Sequence, residues 1–285
     1  MQETLAYALE LMNETLAAAI VVIAASLALY NLTRSFDNRV ARTSGIVLGF
    51  MTIAYLVDTF TALGPTPGTY QAMLRVQWIG IAYMPVALYH LSDALLATTG
   101  LPSRGRRKRV IRILYAISTV FLIAAAFTDT LLTPVRLLPE FSTFGMVYGV
   151  KAGPVLPAYL VHFFGATVAA FINVQRARKR CLARSTRRRM GYLQVAMLTP
   201  AFGIFPFSLL LGQGSEFTLT GLFLVNLTNV IVVFMLLGYS PLLSVFYATL
   251  VTYAVSFLRA DTRMGPRKLV HALRLRCWRA PWDCW

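Results

Sequence analysis

The chain has 285 residues, of which 57% are hydrophobic and only 13% charged, and it carries a formal net charge of +16. A soluble domain has roughly twice that charged share, about 25%, so composition excludes an ordinary soluble enzyme and assigns most of the chain to lipid. The basic excess is not that of a nucleic-acid binder, because the arginines lie between apolar runs rather than within one polar domain,.

Seven apolar runs follow one another at 15–33, 44–63, 73–98, 110–132, 154–175, 190–212 and 217–239. A spanning helix needs about 20 apolar residues, and none of the runs alternates as a barrel strand does. The fold expected is therefore all-α: a polytopic bundle of about seven transmembrane helices in one membrane domain, residues 1–240. The N-terminal stretch carries Glu3, Glu10 and Glu14 and neither Lys nor Arg. That sign is wrong for a cleaved signal peptide, so the first helix is expected to serve as its own uncleaved signal.

Charge orients the helices. Of the 27 basic residues, all but Arg75, Arg136 and Lys151 fall in connections 33–43, 98–113 and 175–190 or in the C-terminal tail. Loops rich in Lys and Arg stay in the cytoplasm, which places the N-terminus outside and the basic loops inside. Cys181, Cys277 and Cys284 then share a reducing compartment, where disulfides are not expected. Residues 241–285 form a second region. Its apolar stretch to Leu258 reads as a kinked continuation, an interfacial segment or an eighth span, with a cytoplasmic tail favoured because a further crossing would carry seven basic residues outside. The tail places Trp278, Trp282 and Trp285 among arginines, the composition of an interfacial anchor on anionic lipid.

Ionisable side chains inside a bilayer are costly and each needs a reason. The candidates for sensing a ligand or signal are Asp58, His90, Asp93 and His162. His90 and Asp93 share one face of the third helix at i,i+3 spacing, either as a packing pair or as a proton- or ligand-sensitive element. Asp58 and Asp129 sit near outer helix ends, within reach of water. A haem between His90 and His162 is disfavoured, since helix rise puts them at depths about 10 Å apart. No Lys lies in a helix to carry retinal, no nucleophile elbow appears, no Cys/His spacing suggests zinc, and no phosphate-binding glycine loop is present. No catalytic residue, cofactor or metal is therefore expected. Arg75 and Trp78 read as membrane-interface anchors, and Gly45 and Gly49 as a close-approach face.

The stretch from Leu74 to Arg107 (LRVQWIGIAYMPVALYHLSDALLATTGLPSRGRR) resembles the N-terminal seven-helix membrane region of a class of bacterial sensor histidine kinases. Arg75, Gln77, Gly80, Pro85, His90 and Gly100 carry the likeness, with support from the fifth-to-sixth connection and the Pro-containing sixth helix. The resemblance implies a sensory membrane domain of the bacterial inner membrane that regulates a protein partner, here without the kinase part. The readings kept beside it are an accessory subunit of a larger membrane complex, a small transporter and a membrane-embedded enzyme.

Overall fold

The computed structural model describes residues 2–34, 37–61, 67–103, 105–136 and 148–196, together with 201, 204, 226–228 and 230. Trp278, Trp282, the 241–258 segment and the tail lie outside the described residues. Six helices and one hairpin are bounded: α1 Gln2–Arg34, α2 Arg39–Thr61, α3 Pro67–Thr98, α4 Arg106–Phe127, β1 Leu132–Arg136, β2 Tyr148–Ala152, α5 Leu156–Arg180 and α6 Arg184–Ala196. Segments Met12–Thr33, Arg39–Phe60, Gly68–Thr98, Arg106–Phe127 and Leu156–Arg180 are long and apolar enough to cross a membrane. The protein is a helical bundle carrying five such helices among the described residues.

Helix α3 is the axis of the bundle. Within its most apolar window 83% of residues are buried, against 17% for α4. It packs against α2, α4 and α5, while α1 lies on α2. The core joins Leu16, Met51, Trp78, Met84, Leu88, Tyr159 and Phe163 from α1, α2, α3 and α5. By contrast α4 exposes Ile113, Ile117, Val120, Ile123 and Phe127, an apolar i,i+3/i,i+4 stripe of the kind that lipid covers.

Close approach of α2 and α3 depends on Gly80. A methyl group there would stand 2.5 Å from the Phe50 carbonyl oxygen, so even Ala would push the helices apart. Of the two glycines read as a close-approach face, Gly45 lies tightly against Leu32 and Asn31 of α1, whereas Gly49 faces open space. The spacing marked the right helix, but a second residue on α3 makes the tighter contact.

Pro85 lies inside α3. Proline lacks the N–H that would bond the carbonyl four residues back, which is that of Ile81. The freed acceptor is satisfied from α5: the Tyr159 hydroxyl donates to the Ile81 oxygen at 2.8 Å, and Tyr159 is wholly buried. In a bilayer a freed carbonyl must find a donor within the protein.

Two differences from the sequence reading concern the connections. The basic stretch read as a loop at 175–190 is mostly helix, because α5 runs on to Arg180 and α6 begins at Arg184. Straight-chain Arg and Gln are good helix formers, and apolar runs mark where lipid ends, not where helix ends. The stretch 132–154, which the apolar runs leave as a connection without structure of its own, contains an antiparallel strand pair with Leu132 opposite Ala152 and Arg136 opposite Tyr148. It is tied to the helices by Gly153 and Val155, whose N–H groups donate to the Leu131 and Thr130 carbonyls at 2.9 and 3.1 Å.

Candidate functional site

Helices α1 to α6 run antiparallel in sequence order, so the ends of α1, α3 and α5 and the starts of α2, α4 and α6 gather at one end. This is the basic end. There, among the described residues, one carboxylate, Asp93 of α3, is wholly buried. The Arg39 guanidinium, on the first residue of α2, donates to its Oδ2 at 2.7 Å. On the other side Arg107, in the first turn of α4, brings Nη1 to 3.2 Å from Oδ1, an ion pair outside hydrogen-bond geometry. Arg107 also donates through Nη2 to the carbonyls of Leu101 and Pro102, at 2.6 and 2.5 Å. The two arginine side chains are 33% and 24% exposed, whereas the carboxylate is wholly buried.

The neighbouring contacts bring α5 into the same assembly. Asn173 of α5 donates to Ser92 at 3.2 Å, and Ser92 donates in turn to the Tyr89 carbonyl. Arg180, the last residue of α5, donates to the Thr99 carbonyl at 3.3 Å. The ends of α2, α3, α4 and α5 are thus held together by polar contacts centred on α3. An isolated carboxylate in a low-dielectric interior is strongly unfavourable, and a paired one is retained only where its partners are fixed. Here both partners come from outside α3.

His90 and Asp93 share a helix face, but the structure gives them separate partners. His90 Nδ1 lies 3.3 Å from the Tyr115 hydroxyl of α4, whose ring it meets edge-on at 5.9 Å. His162 of α5 also turns to α4, with Nε2 3.0 Å from the Ser118 hydroxyl. Asp58, near the opposite end, accepts a hydrogen bond from Gln77 of α3. The four ionisable residues picked out from the sequence therefore belong to distinct contacts at different levels of the bundle, and they do not converge. Among the described residues no three His, Cys, Asp or Glu side chains are grouped to hold a metal ion.

Trp78 requires a correction. Read as an interface anchor, it is only 1% exposed and meets Tyr159 edge-on at 5.0 Å. It sits inside the bundle, on the face of α3 that meets α5. Arg75, one turn earlier, is exposed. Arg39 and Arg107 were missed as partners of Asp93. The available signal was that each stands at the first turn of a helix adjacent to α3, at the level of the α3 terminus.

At the opposite end, beside the Asp58–Gln77 contact, neutral side chains also join the helices. Tyr55 of α2 donates to the Asn226 side-chain oxygen at 2.9 Å, and the Asn226 amide donates to Asn13 of α1 at 3.3 Å. Asn226 thereby joins the seventh apolar run to α1 and α2, the interhelical bonding that an amide in such a run is expected to seek.

In comparisons with protein-family models, with curated proteins and with solved structures, nothing matches this chain.

Proposed function

We propose that this chain is a multi-pass, sensor-like membrane domain of about seven spans. Its N-terminus lies outside, its basic end lies in the cytoplasm of a bacterial cell, and it regulates a protein partner without catalysing a reaction itself. The observation that carries this reading is the Asp93 clasp. One carboxylate joins the starts of α2 and α4 to α3, so a small displacement of α3 changes the spacing of the helix ends from which a partner would read a signal. Dispersal of Asp58, His90, Asp93 and His162 into separate contacts favours coupling between helices over convergent acid–base chemistry. The likeness of the Leu74–Arg107 stretch to the membrane region of sensor histidine kinases points the same way.

A second reading, an accessory subunit of a larger membrane complex, is favoured by the apolar stripe of α4, which suits a neighbouring subunit as well as lipid.

A regulator needs two arrangements of its cytoplasmic face, whereas an accessory subunit needs one. Spin labels at Asp37→Cys and Lys108→Cys, both exposed positions beside the clasp, measure the separation between the α2 and α4 starts in a background lacking the native cysteines. Asp93→Asn should broaden or shift that distance distribution. A single narrow distance, identical with and without Asp93, sinks the sensor reading in favour of the accessory subunit.

A further inference from the structure

The connection between α5 and α6 is only three residues long, Cys181 to Ala183, so two cationic helix ends are pressed together. Arg176, Lys179 and Arg180 of α5 and Arg184, Arg187 and Arg188 of α6 are all exposed. Arg178 is turned inward, its guanidinium packing 3.2 Å from where a side chain on Gly191 would begin. The sequence holds no Asp or Glu between Glu140 and Glu216, so neither helix supplies a counter-charge. Elsewhere on the basic end, Asp93 is already held by two arginines and Asp37 belongs to the α1–α2 connection.

Helix electrostatics treat the two ends differently. Cations in the last turn of α5 are favoured by its dipole, whereas those in the first turn of α6 oppose theirs. Among the described residues the elbow is thus a positive surface with no carboxylate of its own, one that suits bound anions. Its level identifies them. Counting from Leu156, about 20 residues cross a hydrocarbon layer of about 30 Å, which ends near Gln175. The remaining residues of α5 rise about 7 Å further, through a headgroup layer about 5–7 Å deep. The cations of both helices accordingly lie at the depth of lipid phosphates.

We propose that the α5–α6 elbow is a binding surface for the phosphate groups of anionic lipids. Arg184, Arg187 and Arg188 form its α6 side, and Arg176 and Lys179 its α5 side. Because Arg180 at the same elbow bonds the Thr99 carbonyl, lipid bound there stabilises the join between α5 and the end of α3. The proposal stands on charge and level alone, so it does not depend on the regulatory reading.

The test uses the full chain in nanodiscs of neutral phosphatidylcholine, with or without anionic phosphatidylglycerol, and follows the thermal melting temperature. Anionic lipid should raise it for the parent protein. The triple variant Arg184→Gln/Arg187→Gln/Arg188→Gln should lose most of that increment, or require a severalfold higher anionic fraction to reach it. Lysines at the same three positions should restore it. An equally charged variant on α4, Arg106→Gln/Lys108→Gln/Arg109→Gln, reports the general attraction of the basic end and should lose less of the increment than the α6 triple; an equal loss overturns the elbow as a distinct site. Equal increments in the parent and the α6 triple overturn the proposal and leave the elbow to an acidic protein partner. Inorganic phosphate that reproduces the increment in neutral discs, beyond chloride at equal ionic strength, overturns the lipid as the source. A lost clasp response with an intact lipid increment would refute the regulatory reading alone.

Discussion

The two ends of the bundle are fastened by different chemistry. At the basic end a buried carboxylate is held by guanidinium groups from two other helices; at the opposite end the carboxylate, Asp58, is exposed and accepts from Gln77, and Asn13, Tyr55 and Asn226 make neutral hydrogen bonds. Neutral contacts in membrane bundles are modest, about 0.6 kcal/mol on average, and losing one leaves an amide able to find another partner. The Asp93 carboxylate has no such freedom: wholly buried, it has no water to turn to if an arginine is removed. The basic end is therefore expected to be the more sensitive of the two to a single substitution.

This contrast can be broken most directly at Asp93. Replacing it with Ala leaves two partly exposed arginines without their shared partner, and the loss should be about 2–3 kcal/mol of unfolding free energy, measured by denaturant titration in mild detergent. Asp93→Leu combined with Arg39→Met and Arg107→Met removes the whole cluster and should recover much of it. If the triple variant is no better than Asp93→Ala, the clasp is not an isolated charge unit and the contrast fails. A smaller effect is expected in the middle of the bundle: Tyr159→Phe removes the donor to Ile81 and should cost about 1–2 kcal/mol, read by the same titration. The smallest belongs to the opposite end, where Asn226→Leu should cost under about 1 kcal/mol. A larger loss there than at Asp93 would reverse the order of the two ends.

How much of this was legible in the sequence differs by kind of signal. Apolar runs and basic connections give the order and antiparallel sense of the helices, since both follow from composition along one chain. The i,i+3 spacing of His90 and Asp93 gives a shared face, but a face does not name its neighbours. Arg39 lies 54 residues from Asp93, and nothing local distinguishes it from Arg42. Trp78 was misplaced for the same reason: tryptophan beside arginine has the composition of an interface, and only the packing of α3 on α5 shows that its side chain points inward. The hairpin was missed because five-residue strands leave little periodic signal, and the helical course of α5 and α6 through their arginines because hydropathy reports the solvent rather than the backbone.

The joint between Pro85 and Tyr159 ties two positions 74 residues apart to a shared evolutionary fate. With proline at 85, the Ile81 carbonyl lacks its own helix's donor and the tyrosine hydroxyl is the group that satisfies it. If another residue stood at 85, its N–H would supply that carbonyl from within the helix, and the hydroxyl would share an acceptor that no longer depends on it. Descendants of this sequence that lose the proline should then tolerate phenylalanine at 159, while those that keep it should keep the hydroxyl. Substitution at the two sites is expected to be concerted, and the pair would serve as a marker for aligning α3 on α5 when diverged versions of the chain are compared.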